Sequence, residues 1–159
     1  MLFIQDQSGS YLPAPKDAVL IEARRLSSHQ LRRGVFIRSP DMARLAISAK
    51  LSGNECEMFA CLFLDSKHRV LAWVEMFRGS VNSATVHPRE VVKEALRHNA
   101  AAVIMAHNHP SGDSKPSRED IELTNKLKDI LQVIDVSVLD HLIVGDEITA
   151  LSESGHFSS

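Results

Sequence analysis

The residues best placed to do chemistry lie in one stretch, His107-Asn108-His109-Pro110-Ser111-Gly112-Asp113-Ser114-Lys115-Pro116-Ser117-Arg118-Glu119-Asp120. It begins where a short apolar run, Ala100 to Ala106, gives out. That is the usual place for a site in an α/β sheet. Residues i and i+2 of an extended chain point to the same side, so His107 and His109 can aim two imidazoles at one point. Ser117-x-x-Asp120 ahead of an apolar helix is a capping-box pattern. The same Asp120 shares a helix face with Leu123, Thr124 and Leu127, which should pack inward. A buried carboxylate needs a partner, because burying an unpaired charge is costly. A cation held by two histidines supplies one.

His107, His109 and Asp120 then form a set of two nitrogen donors and one oxygen donor, which suits zinc. Three protein ligands leave a fourth position for water, as in a catalytic site. A structural zinc site is normally closed by four residues, often with cysteine, and no suitable cysteine is near. Metal bound there lowers the pKa of its water toward about 7. Asp113 is a rival ligand, four residues past His109 in a loop, with a solvated turn residue as its plainer reading.

The surrounding elements must hold these groups. Residues 1–15 are polar and contain Pro13 and Pro15, the pattern of a loose tail. Val19, Ile21, Ala23 and Leu26 predict a helix over about 17–33, ending near Gly34. Ser39-Pro40 opens a second helix, with Ser as N-cap and Pro at the first position, running to Gly53. Met58 to Leu64 and Val70 to Phe77 predict two buried strands joined at Asp65-Ser66-Lys67-His68. A short segment, Gly79 to Val86, precedes a helix opened by His87-Pro88-Arg89-Glu90. Ala100 to Ala106 is a buried strand, followed by a loop and a helix over about 117–131. A β-branched stretch runs through Val144, and Gly145-Asp146-Glu147 turns it into Ile148–Leu151. The last residues read as frayed. Strands alternating with helices give a single layered α/β domain with a mixed central sheet flanked by helices.

Composition sets the outer bounds. The chain has 159 residues, 44% hydrophobic, with a formal charge of -2. This fits one domain and excludes a disordered chain or a strongly basic nucleic-acid binder. The charge is uneven, at +4 over residues 1–50 and -6 over 51–159. Arg24, Arg25, Arg32, Arg33 and Arg38 form either a solvated helix face or a surface for an anionic partner such as nucleic acid. Cys56 and Cys61 lack C-x-x-C spacing and read as reduced thiols, pointing to the cytoplasm. No signal pattern is visible, and Ala100–Ala106 falls far short of the ~20 residues of a membrane helix.

His-x-His-Pro-x6-Ser-x-x-Asp resembles the JAMM (MPN+) metallopeptidase motif. The wording "AHNHPSGDSKPSREDIELT" is similar to the RadC family. The likeness extends through "FLD" (63–65), "HPREVVKEAL" (87–96) and "LDHLIVG" (139–145) and covers roughly residues 39–155. It implies a JAMM/MPN, cytidine-deaminase-like domain over 39–159, preceded by an N-terminal tail and basic helix over 1–38. It implies a zinc-dependent metallopeptidase-like hydrolase acting on a peptide or protein substrate, with His107, His109 and Asp120 binding the metal. It gives Ser117 the role of hydrogen-bonding the zinc water or the oxyanion, and an earlier glutamate that of general acid/base. Glu57-Met58-Phe59 fits the family spacing, so Glu57 is the choice, Glu55 the runner-up, and Glu75 sits amid an apolar strand. Asp140-His141 belongs to the same pattern, either as a packed strand pair or as a group supporting the ligands. His87 reads as a helix-start residue. Fuller family members carry a helix-hairpin-helix module, and the first 38 residues show no clear motif of that kind. Two other readings stay open: a metal-dependent protein acting on DNA through the basic front half, and a non-catalytic metal-binding interaction module.

Overall fold

The computed structural model describes residues 1–81 and 85–157, and these described residues form seven strands and four helices. The strands are β1 (Phe3–Gln5), β2 (Tyr11–Pro13), β3 (Met58–Leu64), β4 (Val70–Arg78), β5 (Ala102–Asn108), β6 (Ser137–Val144) and β7 (Ile148–Ala150). The helices are α1 (Lys16–Gln30), α2 (Pro40–Leu51), α3 (Pro88–Arg97) and α4 (Arg118–Val133). Residues 82–84 of the Gly79–Val86 segment lie outside the described residues.

β3 to β7 make one sheet in the order β4-β3-β5-β6-β7. Only β5 and β6 run parallel, and α4 is their crossover, so the sheet is mixed. The apolar runs of β3 and β5 are buried at every position, as expected for central strands covered on both faces. Alternation along them feeds two cores. Ala102, Ile104 and Ala106 pack with Ala46, Ile47 and Leu51 of α2. Val103 and Met105 pack with Val91 and Ala95 of α3 and with Leu123, Leu127 and Leu131 of α4. β4 is a half-buried edge strand with Glu75 and Arg78 exposed, where the sequence pattern suggested a fully buried one.

Local chemistry sets the helix ends. The Ser39 side chain accepts a hydrogen bond from Met42 N at 3.2 Å, and Pro40 occupies the first helical position. α1 meets α2 through Ser27, whose hydroxyl donates to Ala46 O at 2.5 Å, and through Arg24, which donates to Ser52 O at 2.9 Å. Its inward face therefore holds Ser27, whereas Ile21 and Leu26, taken as apolar periodic positions, are exposed. The expected loose tail over 1–15 is instead an antiparallel hairpin, β1 with β2. The Asp6 carboxylate organises its turn by accepting from Ser8 N and Ser10 N at 2.9 Å. That side-chain-to-backbone chemistry outweighs the polar composition.

The β6–β7 turn buttresses the loop that follows β5. Asp146 N donates to Gly112 O at 2.7 Å, and the Ser114 and Thr149 hydroxyls lie 2.9 Å apart. Gly145 is required by this approach, because a Cβ there would stand 2.3 Å from Gly112 O. Gly145→Ala should therefore destabilise the protein by about 2–3 kcal/mol through overpacking. At Gly34 a Cβ meets nothing, so Gly34→Ala carries only the strain of its positive φ of 91°. Urea denaturation of both variants checks this, and a smaller loss for Gly145→Ala than for Gly34→Ala would contradict it.

Candidate metal centre

β5 extends two residues past the apolar run, so His107 lies inside the sheet, paired with Phe59 on one side and Ile143 on the other. It is fully buried on the α4 face. His109 follows the strand end. Its N–H donates to Val144 O at 2.8 Å, and its carbonyl accepts from Gly112 N at 3.0 Å. α4 brings Asp120 from the opposite side. Both halves of the predicted capping box form: Ser117 Oγ accepts from Asp120 N at 3.0 Å, and Asp120 Oδ2 accepts from Ser117 N at 2.8 Å.

The three side chains converge. His107 Nε2 lies 3.0 Å from His109 Nε2 and 3.1 Å from Asp120 Oδ1, and His109 Nε2 lies 3.3 Å from Asp120 Oδ2. Their donor atoms all fall within 4.8 Å of one another, and the group can hold a metal ion. The chemistry fits such an occupant: two imidazoles and a carboxylate, all but His109 buried, with no basic side chain among them. Asp120 thus serves as cap and cluster member together.

Hydrogen bonds within the cluster set its electrostatics. Burial works against ionisation of Asp120, but hydrogen bonds to His107 and His109 outweigh it and hold the carboxyl well below the usual carboxylate range. The Asp120 hydrogen bond raises His109 above its ordinary value, against a desolvation effect of opposite sign. A cation at the cluster would compensate the same negative charge. The Asp113 side chain does not join the cluster, accepting instead from Lys115 N at 3.0 Å in a turn. Its backbone carbonyl lies 2.8 Å from His109 Nδ1 and anchors that ring. Cysteine is not involved, since Cys56 is exposed and Cys61 is buried in the core, where desolvation pushes its thiol up.

Among the glutamates, Glu57 is the one tied to the cluster. It is half-buried just before β3, and its charge contributes to raising His109. Its Oε2 accepts from Val81 N at 2.5 Å. Glu55 and Glu75 are exposed. Glu57 owes its place to Asn108, a buried residue that the sequence reading passed over. Asn108 points to the face opposite the histidines, accepts from Met58 N at 2.7 Å, and donates to Cys56 O at 3.0 Å and Asn54 O at 3.4 Å. It pins the 54–58 segment to the end of β5.

His141 resolves the open question about Asp140-His141. Its Nε2 lies 2.8 Å from His107 Nδ1, its Nδ1 lies 2.6 Å from Thr124 Oγ1, and Thr124 Oγ1 lies 2.6 Å from Asp120 O. Desolvation holds this fully buried imidazole well below its ordinary pKa. Strand alternation alone does not place it there. The β5–β6 register slips between Val103 and Ile104, where Val138 and then Asp140 are the partners and Leu139 is extra. That bulge resets the alternation and turns His141 toward α4. Asp140 instead accepts from Ser152 N and the Ser152 hydroxyl, at 3.1 and 2.7 Å.

Removing the Asn108 amide leaves the buried Met58 N–H without its acceptor. Asn108→Ala should cost about 2–3 kcal/mol of stability. Chemical denaturation checks this, and a loss below about 1 kcal/mol would show that the 54–58 segment does not depend on the amide.

Comparison with known proteins identifies the family. The sequence profile described as a RadC-like JAB domain matches residues 37–156. A UPF0758 protein of Thioalkalivibrio sulfidiphilus is 51% identical over 147 residues, covering 92% of this chain and 66% of the relative. One of Ectopseudomonas mendocina is 52% identical over 143 residues, covering 89% and 64%, and one of Pseudomonas savastanoi is 51% identical over 133 residues, covering 84% and 59%. The chain thus spans about three-fifths to two-thirds of the length of these relatives. With most of its length matched and half its residues shared with such relatives, the chain belongs to the RadC family, through a RadC-like JAB domain.

Proposed function

We propose that this domain is a zinc-dependent hydrolase of peptide or isopeptide bonds. The observation that carries the reading is the convergence of His107, His109 and Asp120, with the charge of Glu57 acting on His109. Zinc is the ion preferred by two imidazoles and one carboxylate with a position left for water. When bound, it supplies an acidified water and a Lewis acid for the scissile carbonyl.

The chain's own residues supply the rest. Glu57 takes the proton of the attacking water and returns it to the leaving amine. Its bond from Val81 N keeps one carboxylate oxygen fixed, so the group is oriented before substrate arrives. Ser117 Oγ accepts from Asp120 N, which leaves the hydroxyl proton to be given to the developing oxyanion. The cap that starts α4 is then also a catalytic donor. Asp120 balances the charge from beneath, and its buried position keeps competing water from the ligands.

Metal analysis of the purified protein, with a mass-spectrometric screen of linear and isopeptide-linked peptides, tests the proposal. Zinc should be present at about one per chain in wild type and absent from His107→Ala/His109→Ala. Glu57→Gln should keep zinc and lose about 10²–10⁴ of the rate. A wild-type protein that takes up no zinc overturns the reading, and an undiminished rate in Glu57→Gln removes Glu57 as the base.

A further inference from the structure

We propose that the α2 face of the sheet carries a second binding site, for an amphipathic anion: an apolar chain or ring that bears a carboxylate or a phosphate. It lies across the sheet from His107, His109 and Asp120, and it does not depend on the hydrolase reading.

The cover of this face is incomplete. α2 packs on it through Ala43, Ala46, Ile47 and Leu51. Protein interiors leave few voids larger than a water molecule. Beside the first turns of α2, however, a cleft of about 360 Å³ opens and reaches down to the central strands. Its floor is Leu64 of β3, Ile104 of β5 and Leu142 of β6. From α2 only the methyl group of Ala43 enters the space above that floor. Leu139, the extra residue of the β6 bulge, and Ile37 close its sides. A concave, mostly apolar site of this size is what a small ligand needs.

The charged groups around the cleft decide the sign of the ligand. The acidic ones are already satisfied. Glu153 is paired with Arg44, and Asp140 accepts from His141 N, Ser152 N and the Ser152 hydroxyl. The basic ones at the mouth are not. Arg38 is exposed and lines the cleft. Among the described residues, no carboxylate stands within ion-pair distance of its guanidinium. The linker that carries it is fastened to the β3–β4 turn. Phe36 bridges Arg69 in antiparallel sense, and Ile37 N donates to His68 O at 2.9 Å. That direction carries Arg38 toward Lys67, which is exposed and likewise has no carboxylate partner, while His68 lines the same mouth. Asp65, the acid of that turn, is held by Arg69 at 2.9 Å. Two cations without counter-charge, set beside an apolar floor, match an anionic head on an apolar body. A neutral molecule would leave the cations unpaired, and a bare anion would leave the floor to water.

Amide proton–nitrogen correlation spectra of the nitrogen-15-labelled protein, titrated with octyl phosphate below its micelle-forming concentration, test the site. A chelator is present throughout, so that no metal offers the phosphate a second home. The expected result is saturable binding at one site, with shifts concentrated at Arg38, Ala43, Ile104 and Leu139. Hexyl phosphate should bind about 15-fold more weakly, at about fourfold for each CH₂ withdrawn from the floor. Octanol should bind about tenfold more weakly than octyl phosphate, and Arg38→Gln should weaken octyl phosphate by about tenfold while leaving octanol unchanged. Arg38 is exposed, and the spectrum of the variant itself shows whether the fold is kept. An octanoate arm separates the two head groups: tighter octanoate assigns a carboxylate and tighter octyl phosphate a phosphate, and either upholds the site. The proposal is overturned by the absence of saturable shifts at the cleft, by shifts confined to β1, β2 or the metal centre, by octanol binding as tightly as octyl phosphate, or by an Arg38→Gln variant that binds octyl phosphate like the wild type.

Discussion

The Asp120 carboxylate sits at the start of α4 with 2% of its surface exposed, and the architecture around it depends on satisfying that charge. Left alone it would be among the most costly groups in the domain. Three sources of compensation meet there: the Ser117 N–H of the capping box, the positive end of the helix dipole, and two imidazoles from β5 and the loop after it. The first two belong to any well-capped helix. The third ties α4 to the sheet at one point and gathers there a group that could hold a metal ion. Structural cap and candidate ligand are one group seen from two sides.

The sheet makes this meeting possible by presenting different residues on its two faces. His107 turns toward α4 while Asn108 turns away and fastens the segment carrying Glu57. Three consecutive residues therefore do three jobs: one faces the cluster from within the strand, one staples the neighbouring segment, and one faces the cluster from the loop. The loop is held in turn by the β6–β7 turn, where Gly145 lets two backbones approach more closely than any side chain allows. Rigidity is the common theme. Glu57, His109, Ser117 and Asp120 are each fixed by a hydrogen bond between side chain and backbone, and His107 by the His141 ring.

Much of this was legible in the sequence because it rests on local periodicity. The i, i+2 spacing of His107 and His109 and the i, i+3 spacing of Ser117 and Asp120 depend only on strand and helix geometry. The mixed sheet followed from apolar runs separated by turn residues. What escaped depends on register and on contacts distant in sequence. A bulge at Leu139 breaks the two-residue alternation, so neighbours alone could not tell whether His141 faced the ligands or merely packed. Asn108 bonds residues about fifty positions away, and a buried staple has no compositional signature. The N-terminal hairpin was masked by polar composition, and the inward face of α1 by assigning Ile21 and Leu26 to it. Family likeness, rather than spacing, singled out Glu57 among three glutamates; only the fold brings its charge close enough to act on His109.

A zinc centre built from His107, His109 and Asp120 is defined by the atoms that surround the bound ion. X-ray absorption at the zinc edge of the zinc-loaded protein measures them directly. Two imidazole nitrogens at about 2.0 Å and oxygen scatterers at about 2.0–2.2 Å, four ligands in all with no sulfur, are the predicted shell. A sulfur scatterer at about 2.3 Å, or a six-coordinate shell without imidazole, would contradict a centre built from His107, His109 and Asp120.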